Sequence, residues 1–113
     1  MLRCDRNYGF TFRMTDADKA ALKACHNAML QTVRECLPET DLLVLDEFFA
    51  AYNQNLLDRA LAEQIIADCK AELVLTGRDP AEQFLGLADY VSEIRAVRHP
   101  YSRGIRARKG IEF

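Results

Sequence analysis

Residues 42–53, LLVLDEFFAAYN, join a run of four branched aliphatic residues to an acidic pair, Asp46-Glu47. The run is too short for a helix, and its unbroken apolar character suits a strand covered on both faces. Asp46-Glu47 then stands at the carboxyl end of that strand, where ligands gather in open parallel sheets. Two readings stay open from these residues: the tip of a magnesium and nucleotide site, or a hydrated cap on a buried strand.

Working outward, helices and strands alternate. Before the run, Thr15 or Asp16 can cap a helix reaching about Cys36, because a side-chain oxygen there accepts from an amide of the first turn. Leu22, Cys25, Met29, Val33 and Cys36 recur at spacings of three and four and predict one buried stripe, which Pro38 ends. After the acidic pair the pattern is helical to about Asp68, in two pieces broken near residues 53–55, with Ala60, Leu61, Ile65, Ile66 and Cys69 facing inward. Leu73-Val74-Leu75 reads as a second buried strand ended by Thr76-Gly77-Arg78. Pro80 suits the first turn of a short helix through about Leu87. Residues 90–97 alternate apolar with polar and predict a third strand. Strands separated by helices argue for an α/β fold, a parallel sheet flanked by helices.

At 113 residues, half of them hydrophobic, the chain suits a single domain, residues 1–113. No segment approaches the roughly 20 apolar residues that cross a bilayer, and the first residues lack the apolar core of a secretory signal. These features predict a cytoplasmic protein without a membrane partner. Cys4, Cys25, Cys36 and Cys69 form no C-x-x-C pair, which favours reduced thiols over a disulfide frame or a zinc site. Cys25-His26 is adjacent, so on a helix the two side chains diverge by about 100°, and core packing is the expected role of Cys25.

Charge is uneven. The formal net charge is -2, yet beyond residue 94 Arg95, Arg98, Arg103, Arg106, Arg108 and Lys109 face only Glu112. A cationic tail on an acidic body suits a polyanion or simply evens out the molecule's field. It lacks interleaved aromatic residues beyond Tyr101 and the usual recognition motifs, which argues against nucleic acid.

An aliphatic strand tipped by Asp-Glu resembles the Walker B element of P-loop nucleotide-binding proteins, where a carboxylate holds magnesium against phosphate oxygens. The companion motif G-x-x-x-x-G-K-S/T is absent, since none of Gly9, Gly77, Gly86, Gly104 and Gly110 precedes a lysine.

Taken in order, YGFTF (8–12), LLVLDE (42–47), LVLTGR (73–78) and LADYVSEIRAVRHPYSRGIRARKGIEF (87–113) resemble the carboxyl-terminal portion of the P-loop type of ATP:corrinoid adenosyltransferases, over residues 8–113. The resemblance implies a RecA-like P-loop NTPase fold that lacks, in this chain, the amino-terminal strand and its phosphate loop. It implies transfer of the 5′-deoxyadenosyl group of ATP to Co(I) of a corrinoid, cobalamin or cobyrinic acid diamide, with ATP, Mg2+ and the corrinoid as the small molecules involved. Carried over by motif, Gly9, Phe10, Thr11 and Phe12 form the segment whose two aromatic residues, Phe10 and Phe12, pack under the corrin ring and displace its lower ligand. Phe12 stands where other members can have tryptophan. Glu47 becomes the direct magnesium ligand with Asp46 beside it, and Thr76 and Arg78 become nucleotide contacts. Arg98 and His99 have weaker claims.

The missing phosphate loop makes three states of the chain conceivable: a truncated product, one half of a split enzyme, or a non-catalytic corrinoid- or nucleotide-binding remnant. Each predicts a homo-oligomer or a P-loop-bearing partner, because an uncovered strand edge invites pairing.

Overall fold

The computed structural model describes residues 1–5 and 11–110. The first long element is helix α1, Asp16–Cys36. Thr15 caps it reciprocally: its hydroxyl accepts from the Asp18 N–H (3.1 Å), and the Asp18 carboxylate accepts from the Thr15 N–H (3.2 Å). A 3-10 turn over Leu37–Glu39, with Pro38 inside it, ends the helix where the sequence predicts.

Strand β1, Leu42–Leu45, follows, then α2, Phe48–Asn53, and α3, Arg59–Asp68. The break between the two helices rests on Asn55, which takes a left-handed conformation (φ 55°) that asparagine tolerates. Asp58 then caps α3 by accepting from the Leu61 N–H at 3.1 Å. Helix α1 grips this connection with polar side chains. His26 Nδ1 donates to the Leu56 carbonyl at 2.6 Å, and Asn27 Oδ1 accepts from the Asp58 N–H at 2.6 Å. Strand β2, Glu72–Leu75, and helix α4, Glu82–Leu87, complete the order. Pro80 stands just ahead of α4, whose N-cap is Ala81.

The two strands pair in parallel with Leu43 beside Leu73, Val44 beside Val74 and Leu45 beside Leu75. One sheet face meets the core. Leu43 is buried there, and Leu45, Leu73 and Leu75 pack against a cluster formed by Leu30, Phe48, Phe49, Leu57, Leu61, Ala62, Ile65 and Phe84. Phe84 holds α4 onto this cluster, its ring centroid 4.9 Å from Tyr52 and 5.4 Å from Phe48 in edge-to-face contacts.

Four expectations are corrected. The strands are covered on one face only: Leu42 is 58% exposed, Val44 51% and Val74 43%. A continuous aliphatic run permits burial on both faces but does not supply the second layer. Among the described residues there is no third strand: residues 90–97 have no ladder partner there, and Ile94 and Val97 are each 97% exposed. Alternation encodes a two-faced ribbon, whereas pairing depends on a distant edge. The inward stripes are shifted, with Leu30 buried and Cys36 exposed on α1, and Ala62 rather than Ala60 buried on α3. Spacing defines a face only to within a residue or so, and the neighbouring element selects which side is used.

The fourth correction concerns the thiols. Cys4 and Cys25 are joined in a disulfide with their Cα atoms 6.2 Å apart, while Cys36 and Cys69 are free. Their separation of 21 residues gave no hint that the amino-terminal stretch returns alongside α1. Among the described residues, no helix is long and apolar enough to cross a membrane.

Candidate functional site

The parallel register explains why the acidic pair is not alone. Leu45 and Leu75 are partners, and the ladder extends one step further through the Thr76 N–H, which donates to the Leu45 carbonyl at 3.2 Å. The next residues on each strand, Asp46 and Thr76, are therefore brought side by side. The Thr76 hydroxyl donates to Asp46 Oδ1 at 2.6 Å and accepts from the Glu47 N–H at 3.0 Å. One side chain of the second strand end thus holds both residues of the first.

The local backbone is unusual at both ends. Glu47 is left-handed (φ 53°, ψ 28°), and so is Asp79 (φ 53°). Gly77 has φ 142°, and a Cβ placed there would lie 3.1 Å from the Phe49 side chain, so only glycine lets the second loop lie against α2. Asn53, at the end of α2, donates through Nδ2 to the Asp79 carbonyl at 2.9 Å. The two loops are fastened together at three successive points: Thr76, Gly77 and Asp79.

Both acidic residues are exposed, and so is Arg78, which forms no ion pair with Asp79 or Glu82. Among the described residues no three His, Cys, Asp or Glu side chains converge into a ready-made metal centre. Two adjacent carboxylates nevertheless suit Mg2+, which usually takes one or two carboxylates and completes its shell with water and phosphate oxygens.

The other sequence candidates are not gathered here. Phe10 lies outside the described residues, as does the Thr11 side chain. Phe12 sits in a 3-10 turn, Thr11–Arg13, and is 79% exposed with the Arg13 guanidinium 5.5 Å from its ring centroid. His99 has a local role: its Nδ1 accepts from the Tyr101 N–H at 3.1 Å and caps the turn Pro100–Arg103. Arg98 is exposed, like its neighbours in the cationic tail. Sequence reasoning missed Phe49 and Asn53; the sole local signal was that both follow the acidic pair on one short helix.

A groove at the opposite end of the strands, between Arg34, Asp41, Asp68 and Lys70, mixes both charge signs. No polar or charged side chain among the described residues is buried, so none is aimed into it from the core.

Residues 2–113 match the family described as ATP:corrinoid adenosyltransferase BtuR/CobO/CobP. The chain belongs to this family. It is similar to the corrinoid adenosyltransferase of Pseudomonas aeruginosa, 34% identical over 109 residues that cover 93% of this chain and 53% of that protein. The corrinoid adenosyltransferase CobA of Salmonella typhimurium is 31% identical, with 93% and 55% covered. That of Sinorhizobium is 29% identical, with 93% and 50% covered. The chain therefore spans about half the length of the curated relatives it matches.

Proposed function

We propose that residues 1–113 form one partial adenosyltransferase domain that contributes the metal-side half of an Mg-ATP site and an apolar contact for a corrinoid. The reaction is transfer of the 5′-deoxyadenosyl group of ATP to a corrinoid such as cobalamin or cobyrinic acid diamide. The observation that carries this reading is the fixed acidic pair at the carboxyl end of a parallel sheet, in a chain of this family. We place the chain in a RecA-like sheet completed by a P-loop-bearing segment, supplied by a longer chain, a partner or another copy. The proposed compartment is the cytoplasm.

Cobalt in the Co(I) state attacks the 5′ carbon of ATP. A Co–C bond forms as the bond from that carbon to the triphosphate oxygen breaks. The triphosphate leaves with the bonding pair, and cobalt becomes Co(III). An external one-electron donor converts Co(II) to Co(I) beforehand. No general base is needed, so the protein's work is orientation and charge stabilisation. Glu47 and Asp46 would hold Mg2+, which neutralises negative charge on the triphosphate when bound. Arg78, unpaired with its acidic neighbours, is free to turn toward phosphate. By the family motif, Phe12 and Phe10 are assigned to the corrin face.

Charge-assisted hydrogen bonds contribute about 1.5 to 3 kcal/mol each, and losing two lowers affinity about a hundredfold or more. The chain alone, without a glycine-lysine phosphate loop, is therefore expected to bind Mg-ATP weakly and to turn over little. Calorimetry with Mg-ATP and a cobalamin absorbance assay test this, with and without the amino-terminal half of a relative added in trans. Restored turnover that Glu47→Gln shifts to a higher Mg2+ requirement supports the proposal. Unchanged magnesium dependence in that variant removes Glu47 from the metal site.

A further inference from the structure

We infer that Thr76 is a positioning residue for the acidic pair and not itself a ligand of the nucleotide. This rests on reading Asp46 and Glu47 as a metal and triphosphate site. A threonine hydroxyl has one proton and two lone pairs. Here the proton is committed to Asp46 Oδ1 (2.6 Å) and one lone pair to the Glu47 N–H (3.0 Å). A phosphate oxygen is an acceptor and needs that same proton. Thr76 cannot donate to phosphate while it holds Asp46.

The hydroxyl is also poorly placed to follow a ligand. Its own N–H is tied to Leu45, the following Gly77 packs against Phe49, and Asp79 is tied to Asn53. The strand end is pinned from both sides, which makes the hydroxyl a fixed reference for two flexible carboxylates. By binding Oδ1, Thr76 leaves Asp46 Oδ2 as the oxygen not engaged by the hydroxyl. By accepting from the Glu47 amide, it supports the left-handed backbone that Glu47 adopts at the strand end. The second strand thus sets the geometry of a site whose ligands belong to the first.

The test compares Thr76→Val, which keeps the shape and removes the hydroxyl, with Thr76→Ser, which keeps the hydroxyl. Two readouts on the purified chain suffice: amide exchange at Glu47 by NMR, and paramagnetic broadening of residues 46 and 47 during titration with Mn2+ alone. Thr76→Val is expected to accelerate Glu47 exchange about tenfold and to weaken Mn2+ binding by a similar factor, with circular dichroism unchanged; Thr76→Ser restores both. Wild-type broadening that Thr76→Val leaves intact, with Glu47 exchange unaltered, overturns the positioning role alone. Absence of broadening at residues 46 and 47 in the wild-type chain overturns the metal reading beneath it. A Thr76→Val chain that loses its fold while Thr76→Ser keeps the fold but not the Mn2+ response also overturns the inference.

Discussion

Glu47 occupies a backbone conformation (φ 53°) that disfavours side chains carrying a Cβ, at a cost of about 1 to 2 kcal/mol. The Thr76 contact offsets part of this cost. A carboxylate kept at a strained position suggests that the side chain is retained for what it binds. Glu47→Gly should therefore raise the stability of the chain by about 1 kcal/mol in urea unfolding while abolishing Mn2+ broadening at Asp46. Gly77 presents the opposite case. At φ 142° and in contact with Phe49, it admits no side chain without movement of α2. Gly77→Ala should cost about 1 to 3 kcal/mol and lower the melting temperature. Asp46-Glu47 was legible in the sequence as a candidate site because the signal is local, an aliphatic run ending in acid. The Thr76 bond was not, because it depends on strand register, which no short window contains.

At the scale of elements, α2, α3 and α4 are joined by one polar knot. Tyr52 donates to Glu63 Oε1 at 2.5 Å, and Gln83 donates through Nε2 to the Tyr52 oxygen (2.7 Å) and to Glu63 (3.1 Å). The hydrogen bond to Glu63, with burial, raises the Tyr52 pKa above its ordinary 10.0. The Tyr52 and Gln83 bonds lower that of Glu63 below 4.5. The signs are opposite. Glu63 contributes stability above its unfolded value and loses it as pH falls through the lowered folded value. Tyr52 contributes below pH 10 and loses its share as pH rises through the raised folded value. Melting temperature measured from pH 3 to 11 should show a plateau with an acid and an alkaline shoulder, and Tyr52→Phe should flatten both. The ends of α1 read well from sequence because their causes are local, a capping Thr15 and a terminating Pro38, whereas the Asp58 cap of α3 was seen only in the structure. Residues 90–97 misled because alternation is local while a ladder is not, and Cys4 and Cys25 misled because their meeting requires the chain to double back.

For the molecule as a whole, the Cys4–Cys25 bond ties the amino-terminal stretch to α1 across 21 residues. Alkylation of the natively folded, unreduced chain followed by mass spectrometry should label Cys36 and Cys69 only. Reduction should open all four thiols and cost about 3 kcal/mol of stability, the loop-closure value for a ring of this size. The uncovered sheet face has a thermodynamic signature of its own. Leu42, Val44 and Val74, and beyond them Leu87, Val91, Ile94 and Val97, already contact water in the native state. Unfolding this chain therefore hydrates less new apolar surface than is usual for its length. The heat-capacity increment should fall below the ordinary 12 to 15 cal/mol/K per residue, giving a flatter stability curve and a shallower denaturant slope. Scanning calorimetry of the chain alone, and again with the amino-terminal half of a relative added, should show that increment rising per residue as the bare face is covered.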